Sequence, residues 1–339
     1  MQEGSIQRLV TIFPGALGDL LLVLPTLRRL RQRSAAARVT LVVPEPLREL
    51  ARATRVADHV ASLDAASSVW LFGGSTLPPW LADRPAVWAW LGADDAAFRQ
   101  RLASVADSVH LLSVVRDPGR VHVAMGYARA AGVGGARDTL AADARLEPPD
   151  SVEARSLTAS LERPILAIHR GAGARAKRWA PEAFAALAAA WRRTHGDVVE
   201  LLGPAEADDE PVAGAVPARD WRLPDVAALL RLVDAYVGND SGVSHLAGAV
   251  GARGAVVFTT TDPRRWRPLS HALAAVRGRA TDRYPAPPPA RVWRALAPAD
   301  SLTSSDPASS VPRIARLTQA APTTSRNNRR PLRAARRRS

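Results

Sequence analysis

The feature that most limits what this chain can fold into is a strand, helix, strand alternation that occurs twice. Leu9-Val10-Thr11-Ile12-Phe13 is a short apolar run with β-branched residues, ended by Pro14-Gly15, and reads as a buried parallel strand. A helix starting near Gly18-Asp19 carries Leu20, Leu21, Leu24, Leu27 and Leu30 at helical spacing until the arginine-rich stretch from Arg28 to Arg33 ends it. Val39-Thr40-Leu41-Val42-Val43, stopped by Pro44, is a second strand, and the three elements together make a βαβ unit. Further strands are expected at Val69 to Phe72 and Ser108 to Leu112.

From about Pro148 to Arg163 the chain is polar and holds Pro148, Pro149 and Asp150, a composition suited to a linker. The alternation then restarts. Pro164-Ile165-Leu166-Ala167-Ile168 reads as a strand, Gly171-Ala172-Gly173 as a loop, Pro181 to Arg193 as a helix and Val198 to Leu202 as the next strand. Ala235-Tyr236-Val237 leads into Gly238-Asn239-Asp240-Ser241-Gly242 and a helix beginning near Ser241, followed by a strand at Ala255 to Phe258. The expected organisation is α/β with two facing Rossmann-like domains. These are 1–150, a linker at 151–163, a second domain at 164–298, and an Arg/Ser/Pro-rich tail at 299–339 that is expected to be disordered apart from a short helix at Val311 to Leu317.

Charge and cysteine content narrow the function classes. The formal charge is +14, but residues 301–339 hold nine arginines against Asp306 alone, so more than half of the excess lies in the tail. The absence of cysteine removes disulfides, Cys-ligated zinc, iron–sulfur clusters and thiol nucleophiles, and suits a reducing compartment. The first apolar run is broken by Pro14, Gly15, Gly18 and Asp19, so no secretory signal is expected, and no apolar stretch has the length of a membrane span. Basic residues comprise 45 arginines and one lysine, Lys177; against such a bias toward arginine, the surviving lysine invites a functional reading.

In parallel sheets ligands sit beyond the carboxyl ends of strands, and three loops occupy that position. Pro14-Gly15-Ala16-Leu17-Gly18-Asp19 offers two glycines for close approach and a carboxylate at a helix start. It lacks the three-glycine dinucleotide fingerprint, although Glu45 after the second strand imitates a ribose-binding acid. Asp19 reads equally as a helix cap favoured by the helix dipole. His169 to Trp179 combines Gly171 and Gly173 with Arg175, Lys177 and Arg178, a cation cluster suited to a diphosphate or to solvent. Gly238 to His245 places helix-start amides beside Asp240; Asn239, Asp240 and Ser241 are also ordinary cap residues, and His245 reads first as a packed, hydrogen-bonded histidine.

Together, Gly15-Ala16-Leu17-Gly18-Asp19-Leu20-Leu21-Leu22, Gly171-Ala172-Gly173 with Lys177-Arg178-Trp179, Gly203-Pro204-Ala205-Glu206, and Gly238-Asn239-Asp240-Ser241-Gly242 with His245-Leu246-Ala247 resemble the heptosyltransferase family, glycosyltransferase family 9, over residues 8 to about 275. The resemblance implies a GT-B fold, with the acceptor held mainly by the first domain and a nucleotide-diphosphate sugar, ADP-heptose by analogy, by the second. It implies an inverting, single-displacement transfer with no metal and no cofactor. Asp19 matches the family's base, Lys177 its phosphate-binding lysine, Glu206 the acid that holds the nucleotide ribose and Asp240 the acid near the donor sugar. The amides of Ser241, Gly242 and Val243 and the Gly171-Ala172-Gly173 loop add to donor binding, and Gly15 and Gly18 border the acceptor.

Two departures stand out: Arg170 where the family often has proline, and Thr259-Thr260-Thr261-Asp262-Pro263 in place of a commoner glycine-proline version. The expected acceptor is a cell-envelope glycolipid or polysaccharide precursor, as in lipopolysaccharide biosynthesis. The expected location is the cytoplasm, with peripheral contact at an anionic membrane through the tail. Trp70, Trp80, Trp88 and Trp90 could stack on acceptor sugars, with core packing the stronger reading. Two rival functions are a sugar-nucleotide epimerase on the same scaffold and a nucleic-acid-binding protein using the arginines from Arg326 to Arg338; no nucleic-acid motif accompanies the latter.

Overall fold

The computed structural model describes residues 7–113, 121–278 and 286–296. The tail, with the short helix and membrane contact expected of it, lies outside the described residues.

In the first half β1 (Arg8–Ile12), α1 (Leu17–Arg33), β2 (Arg38–Val43), α2 (Arg48–Ala53), β3 (His59–Ser62), β4 (Ala86–Ala89), α3 (Ala96–Val105) and β5 (Ser108–Leu111) follow in order. The five strands form one parallel sheet ordered β3-β2-β1-β4-β5. The helices α4 (Val123–Ala130), α5 (Arg137–Asp143) and α6 (Val152–Ala159) come next. In the second half β6 (Leu166–His169), α7 (Pro181–Thr194), β7 (Val198–Leu202), β8 (Val216–Arg219), α8 (Leu223–Leu232), β9 (Ala235–Asn239), α9 (Gly242–Ala249), β10 (Gly254–Phe258), α10 (Pro263–Trp266), β11 (Leu273–Arg277) and α11 (Pro289–Leu296) complete a six-stranded parallel sheet ordered β11-β10-β9-β6-β7-β8. Strand order reverses beside β1 in the first sheet and between β6 and β9 in the second, which makes the loops after β1, β6 and β9 the ones that open into a crevice.

Two expectations are corrected. Val69 to Phe72 is not a strand but the end of a 3₁₀ helix, Ala66–Phe72, closed by Gly73 in the left-handed region at φ 119°. Its Trp70 and Leu71 bury against the sheet face made by Val10, Ile12, Val42 and Val87, while Val69 and Phe72 stay exposed, a three-fold pattern that a strand cannot produce. The adjacent strand is instead Ala86–Ala89, paired with β1. The stretch read as linker contains α6, capped by Ser151 Oγ accepting from the Ala154 amide at 3.2 Å. Of the four tryptophans, Trp70, Trp80 and Trp90 are buried in core packing, and the half-buried Trp88 packs against the core and stacks on the exposed His110 at 4.1 Å. Glu45 follows β2 at the start of a short 3₁₀ helix, where its carboxylate pairs with Arg48 at 3.0 Å.

The two halves are packed together. Leu21 and Leu50 of the first half belong to the apolar cluster of the second, and Leu269 of the second belongs to that of the first. Leu146 N–H donates to the Ala249 carbonyl at 2.9 Å, and the start of α1 lies against the start of α9.

Candidate functional site

The site is built from the loops after β1, β6, β9 and β10. At the first, Ala16 is the extended residue before α1 and Asp19 is the third helical residue, where a carboxylate faces the amides of a helix start. A methyl on Gly15 would lie 2.8 Å from Asp19 Cβ and 2.5 Å from the Phe13 ring, so this turn needs glycine. Burial raises the Asp19 carboxyl above its ordinary range, while the Ala16 amide, the Lys177 ammonium and the Tyr127 hydroxyl pull it back. Tyr127 is buried beside it, coupled to it electrostatically but without a hydrogen bond of ordinary geometry, and burial with the Asp19 charge drives its phenol upward.

Lys177 comes from the second half, at the end of a 3₁₀ turn, Arg175–Lys177. Its Nζ lies 2.9 Å from Asp240 Oδ2, and Thr261 Oγ1 donates to that same oxygen at 2.6 Å. Thr259 Oγ1 donates to the Ala176 carbonyl at 2.8 Å, so the loop after β10 holds both members of the ion pair. Trp266 closes the other side, its ring 6.0 Å from Nζ. Because Lys177 also acts on Asp19, one cation reaches the carboxylate of each half.

Asn239 explains how the two donor-side loops keep register. It is fully buried at the end of β9; its Oδ1 accepts from Trp179 N–H at 2.9 Å and its Nδ2 donates to the Arg170 carbonyl at 2.7 Å, gripping both ends of the 170–179 loop. Arg170, the departure from proline, turns its side chain away to pair with the buried Glu200 and to donate to the Glu210 carbonyl at 2.7 Å. Glu200 also accepts from the Val212 amide at 2.6 Å, so this arginine stiffens the neighbouring loop.

Glu206, 5% exposed, lies behind Gly171 and is 3.4 Å from Arg178 Nη2. A methyl on Gly171 would come within 2.6 Å of Glu206 and 2.7 Å of His169, so only glycine permits this approach. His169 Nδ1 meets Ser241 Oγ at 3.3 Å, and burial followed by the Arg178 charge lowers its pKa to about 4. A methyl on Gly173 would meet no atom within 4 Å, in keeping with its exposure, and Ala172 is half-buried.

Ser241 caps α9 by accepting from Ser244 N–H at 3.4 Å, leaving the amides of Gly242 and Val243 without partners inside the helix. Ser244 Oγ in turn meets Tyr236 Oη at 2.8 Å. A methyl on Gly242 would stand 2.9 Å from Leu17 Cβ, so the α9 start is seated directly on the α1 start. The structure thus brings together Asp19, Lys177, Asp240 and the 241–243 amides, with Glu206 to one side. Sequence reasoning missed Tyr127, for which no local signal existed, and read Asn239, Thr259 and Thr261 only as members of motifs, without these bonding roles. No group of three or more His, Asp or Glu side chains that could hold a metal ion occurs among the described residues, and none of their helices is long and apolar enough to cross a membrane.

The family model of glycosyltransferase family 9 (heptosyltransferase) matches residues 95–286. Among solved structures, the chain resembles the ADP-heptose lps heptosyltransferase II of E. coli at 19% identity and a TM-score of 0.60, covering 81% of this chain and 91% of that one. It resembles the family 9 glycosyl transferase of Veillonella parvula at 18% identity and a TM-score of 0.62, covering 80% and 87%. For E. coli heptosyltransferase WaaC with ADP the values are 17% and 0.55, covering 80% and 94%. No curated protein sequence matches the chain.

Proposed function

The chain belongs to glycosyltransferase family 9 and has the GT-B fold of its two facing Rossmann-like sheets, and from that premise we propose an inverting, metal-independent transfer of a sugar from a nucleotide-diphosphate donor. The donor class is ADP-heptose, and the acceptor is a hydroxyl of a cell-envelope glycolipid or polysaccharide precursor. One observation carries the reading: a carboxylate on the acceptor side, Asp19, faces a cation and helix-start amides on the donor side, within reach of the same lysine.

In this reading the acceptor oxygen attacks the anomeric carbon as Asp19 takes its proton, and the bond from that carbon to the diphosphate oxygen breaks with inversion. A carboxyl whose pKa is raised toward the working pH is a better base than an exposed aspartate. Lys177, with Arg175 and Arg178 close by in the same loop, and the amides of Ser241, Gly242 and Val243 meet the charge that develops on the leaving diphosphate. Glu206 accepts the ribose hydroxyls, displacing Arg178, and Asp240 accepts a donor-sugar hydroxyl. Gly171, Ala172 and Gly173 leave room for the nucleotide, and Gly15 and Gly18 for the acceptor. Catalysis takes place in the cytoplasm.

ADP-, GDP- and UDP-sugars should be compared by thermal shift, since a ligand at 100 times its Kd stabilises by about 2.7 kcal/mol. Nucleotide release is expected only when an acceptor is present, and unchanged in EDTA. Conversion of the donor sugar without an acceptor would instead establish an epimerase.

A further inference from the structure

Along the free edge of the first sheet, beside β3, lies a cavity of about 450 Å³ lined by Arg8, Arg38, Arg48, Arg52 and His59. Among the described residues no aspartate or glutamate lines it. Arg8, Arg38 and His59 are the first residues of β1, β2 and β3, whereas the crevice opens beyond the last residues of the strands. These cations therefore stand at the opposite end of the sheet from Asp19, and the proposed chemistry gives them no task.

Strand register makes them converge. Arg8 is paired with Arg38, and Thr40 with His59, across neighbouring parallel strands. Arg38 and Thr40 are two residues apart on β2, so all four side chains belong to one face of the sheet. Arg48 and Arg52, four residues apart, share one face of α2 and bring two more charges to the same cavity. Like charges side by side across strands are destabilising unless an anion lies between them. The neighbouring acids are engaged elsewhere: Asp58 is held by two Arg31 nitrogens at 2.8 and 3.0 Å, and Asp64 accepts from the Glu45 amide at 2.7 Å. Asp83 pairs with Arg8, and Glu45 with Arg48 Nη2 at 3.0 Å, neither from the cavity wall. The exposed side chains of Arg38 and Arg52 have neither hydrogen bond nor ion pair among the described residues, Arg38 acting on Asp58 only at a distance. Nε of Arg48 is buried without a partner.

We propose that this cavity binds a phosphate group, carried by a small soluble anion or by a lipid headgroup. The inference is independent of the transferase reading. Phosphate presents oxygens in several directions, and planar guanidinium forks arriving from two strands and a helix meet them with paired N–H donors. Thr40 and Ser67 add hydroxyls to the wall. A concave site of this size suits a single small group, whereas a nucleic-acid backbone is tracked by a stripe of cations along a surface. The arginine-rich composition supplies exposed cations everywhere; it does not supply their convergence on one cavity lined by no described acid.

The test titrates inorganic phosphate into the full chain by calorimetry at constant ionic strength, in a Lys177→Ala background that takes the crevice lysine out of the comparison. Binding is expected with a Kd of about 1 mM or tighter. Arg38→Gln, Arg48→Gln and Arg52→Gln should each weaken it about tenfold, the scale of one charge-assisted hydrogen bond, with the melting temperature in phosphate-free buffer unchanged. Should Arg48→Gln fail to fold, the exposed Arg38 and Arg52 variants carry the comparison. A second arm floats the same proteins with vesicles of phosphatidylcholine containing phosphatidylglycerol, and with phosphatidylcholine alone. Weakened binding of inorganic phosphate supports the site and makes the ligand a soluble anion; loss of binding to the anionic vesicles alone supports it and makes the ligand a headgroup. If neither phosphate nor vesicle binding responds to the three substitutions, or if only binding of a single-stranded oligonucleotide does, the proposal is overturned.

Discussion

Replacing Lys177 with arginine keeps the charge and changes almost everything else about it. The ammonium is a compact donor of three hydrogens, 2.9 Å from Asp240 Oδ2, on an oxygen already engaged by Thr261, with Trp266 on the far side. A guanidinium spreads its charge over a planar fork farther from the backbone. To reach the same oxygen it must displace Thr261 or push back the 175–177 turn, which Thr259 ties down through Ala176. A hydrogen bond to a charged group contributes about 1.5–3 kcal/mol, or roughly 10- to 150-fold at 1.4 kcal/mol per decade. Lys177→Arg retains part of that, so a loss of about tenfold in kcat/KM is expected. Lys177→Ala leaves the nearly buried Asp240 with only a hydroxyl and should cost about a hundredfold, part of it in donor affinity. Steady-state kinetics with donor calorimetry on both variants, with Arg175→Ala and Arg178→Ala as milder controls, measures this. Activity of Lys177→Arg within about twofold of the parent would refute the reasoning and make the solitary lysine a matter of composition.

Three further outcomes follow from the packing. Asn239→Ala strips partners from two backbone groups at the ends of the 170–179 loop, about 1–3 kcal/mol for each if it stays buried, and should lower the urea midpoint and weaken donor binding together; an unchanged midpoint would contradict the role assigned to it. Gly242→Ala places a methyl 2.9 Å from Leu17 Cβ and should reduce activity by wedging the two helix starts apart, with Leu17→Ala in the same chain restoring some of it; additive losses would argue against the wedge. His122 and His169 both have folded pKa values near 4, below the ordinary 6.5, because burial disfavours their charged forms. Between those values the unfolded chain binds more protons than the folded one, so their contribution to stability is full above about pH 6.5 and is lost as pH falls toward 4. Urea unfolding across that range checks it, and a flat profile would show that these rings are not buried neutral.

The fold was legible where strands are buried on both faces, because near-continuous apolar runs such as Val39–Val43 and Val198–Leu202 admit little else at that length. It was poorly legible where strands are only four residues long. Ala86–Ala89 and Val216–Arg219 have no periodicity to read, and Val69–Phe72 imitates a strand in composition while burying only the middle of its 3₁₀ turn. In the site, loops with paired glycines announced where backbone must approach closely, and Gly171 and Gly242 do meet neighbours that a methyl would strike. The Lys177–Asp240 pair joins residues 63 positions apart, and the Thr259 and Thr261 bonds arise from a third strand end. Such contacts are products of topology, and single residues carry no trace of them. Asn239 was visible as part of a motif, but its task of tying the loop after β6 to β9 depends on those strands being neighbours.

The central claim, that Asp19 removes a proton from an acceptor held across the crevice from a nucleotide-sugar, is tested most directly by Asp19→Asn. The substitution keeps size and a hydrogen-bonding oxygen but abolishes the base, and general base catalysis contributes about 10²- to 10⁴-fold. Acceptor-dependent nucleotide release should fall by that factor while calorimetry finds donor affinity nearly unchanged, since Asp19 lies on the opposite side from the Lys177–Asp240 pair. Near-normal release by Asp19→Asn would contradict the account and leave Asp19 as a cap on α1.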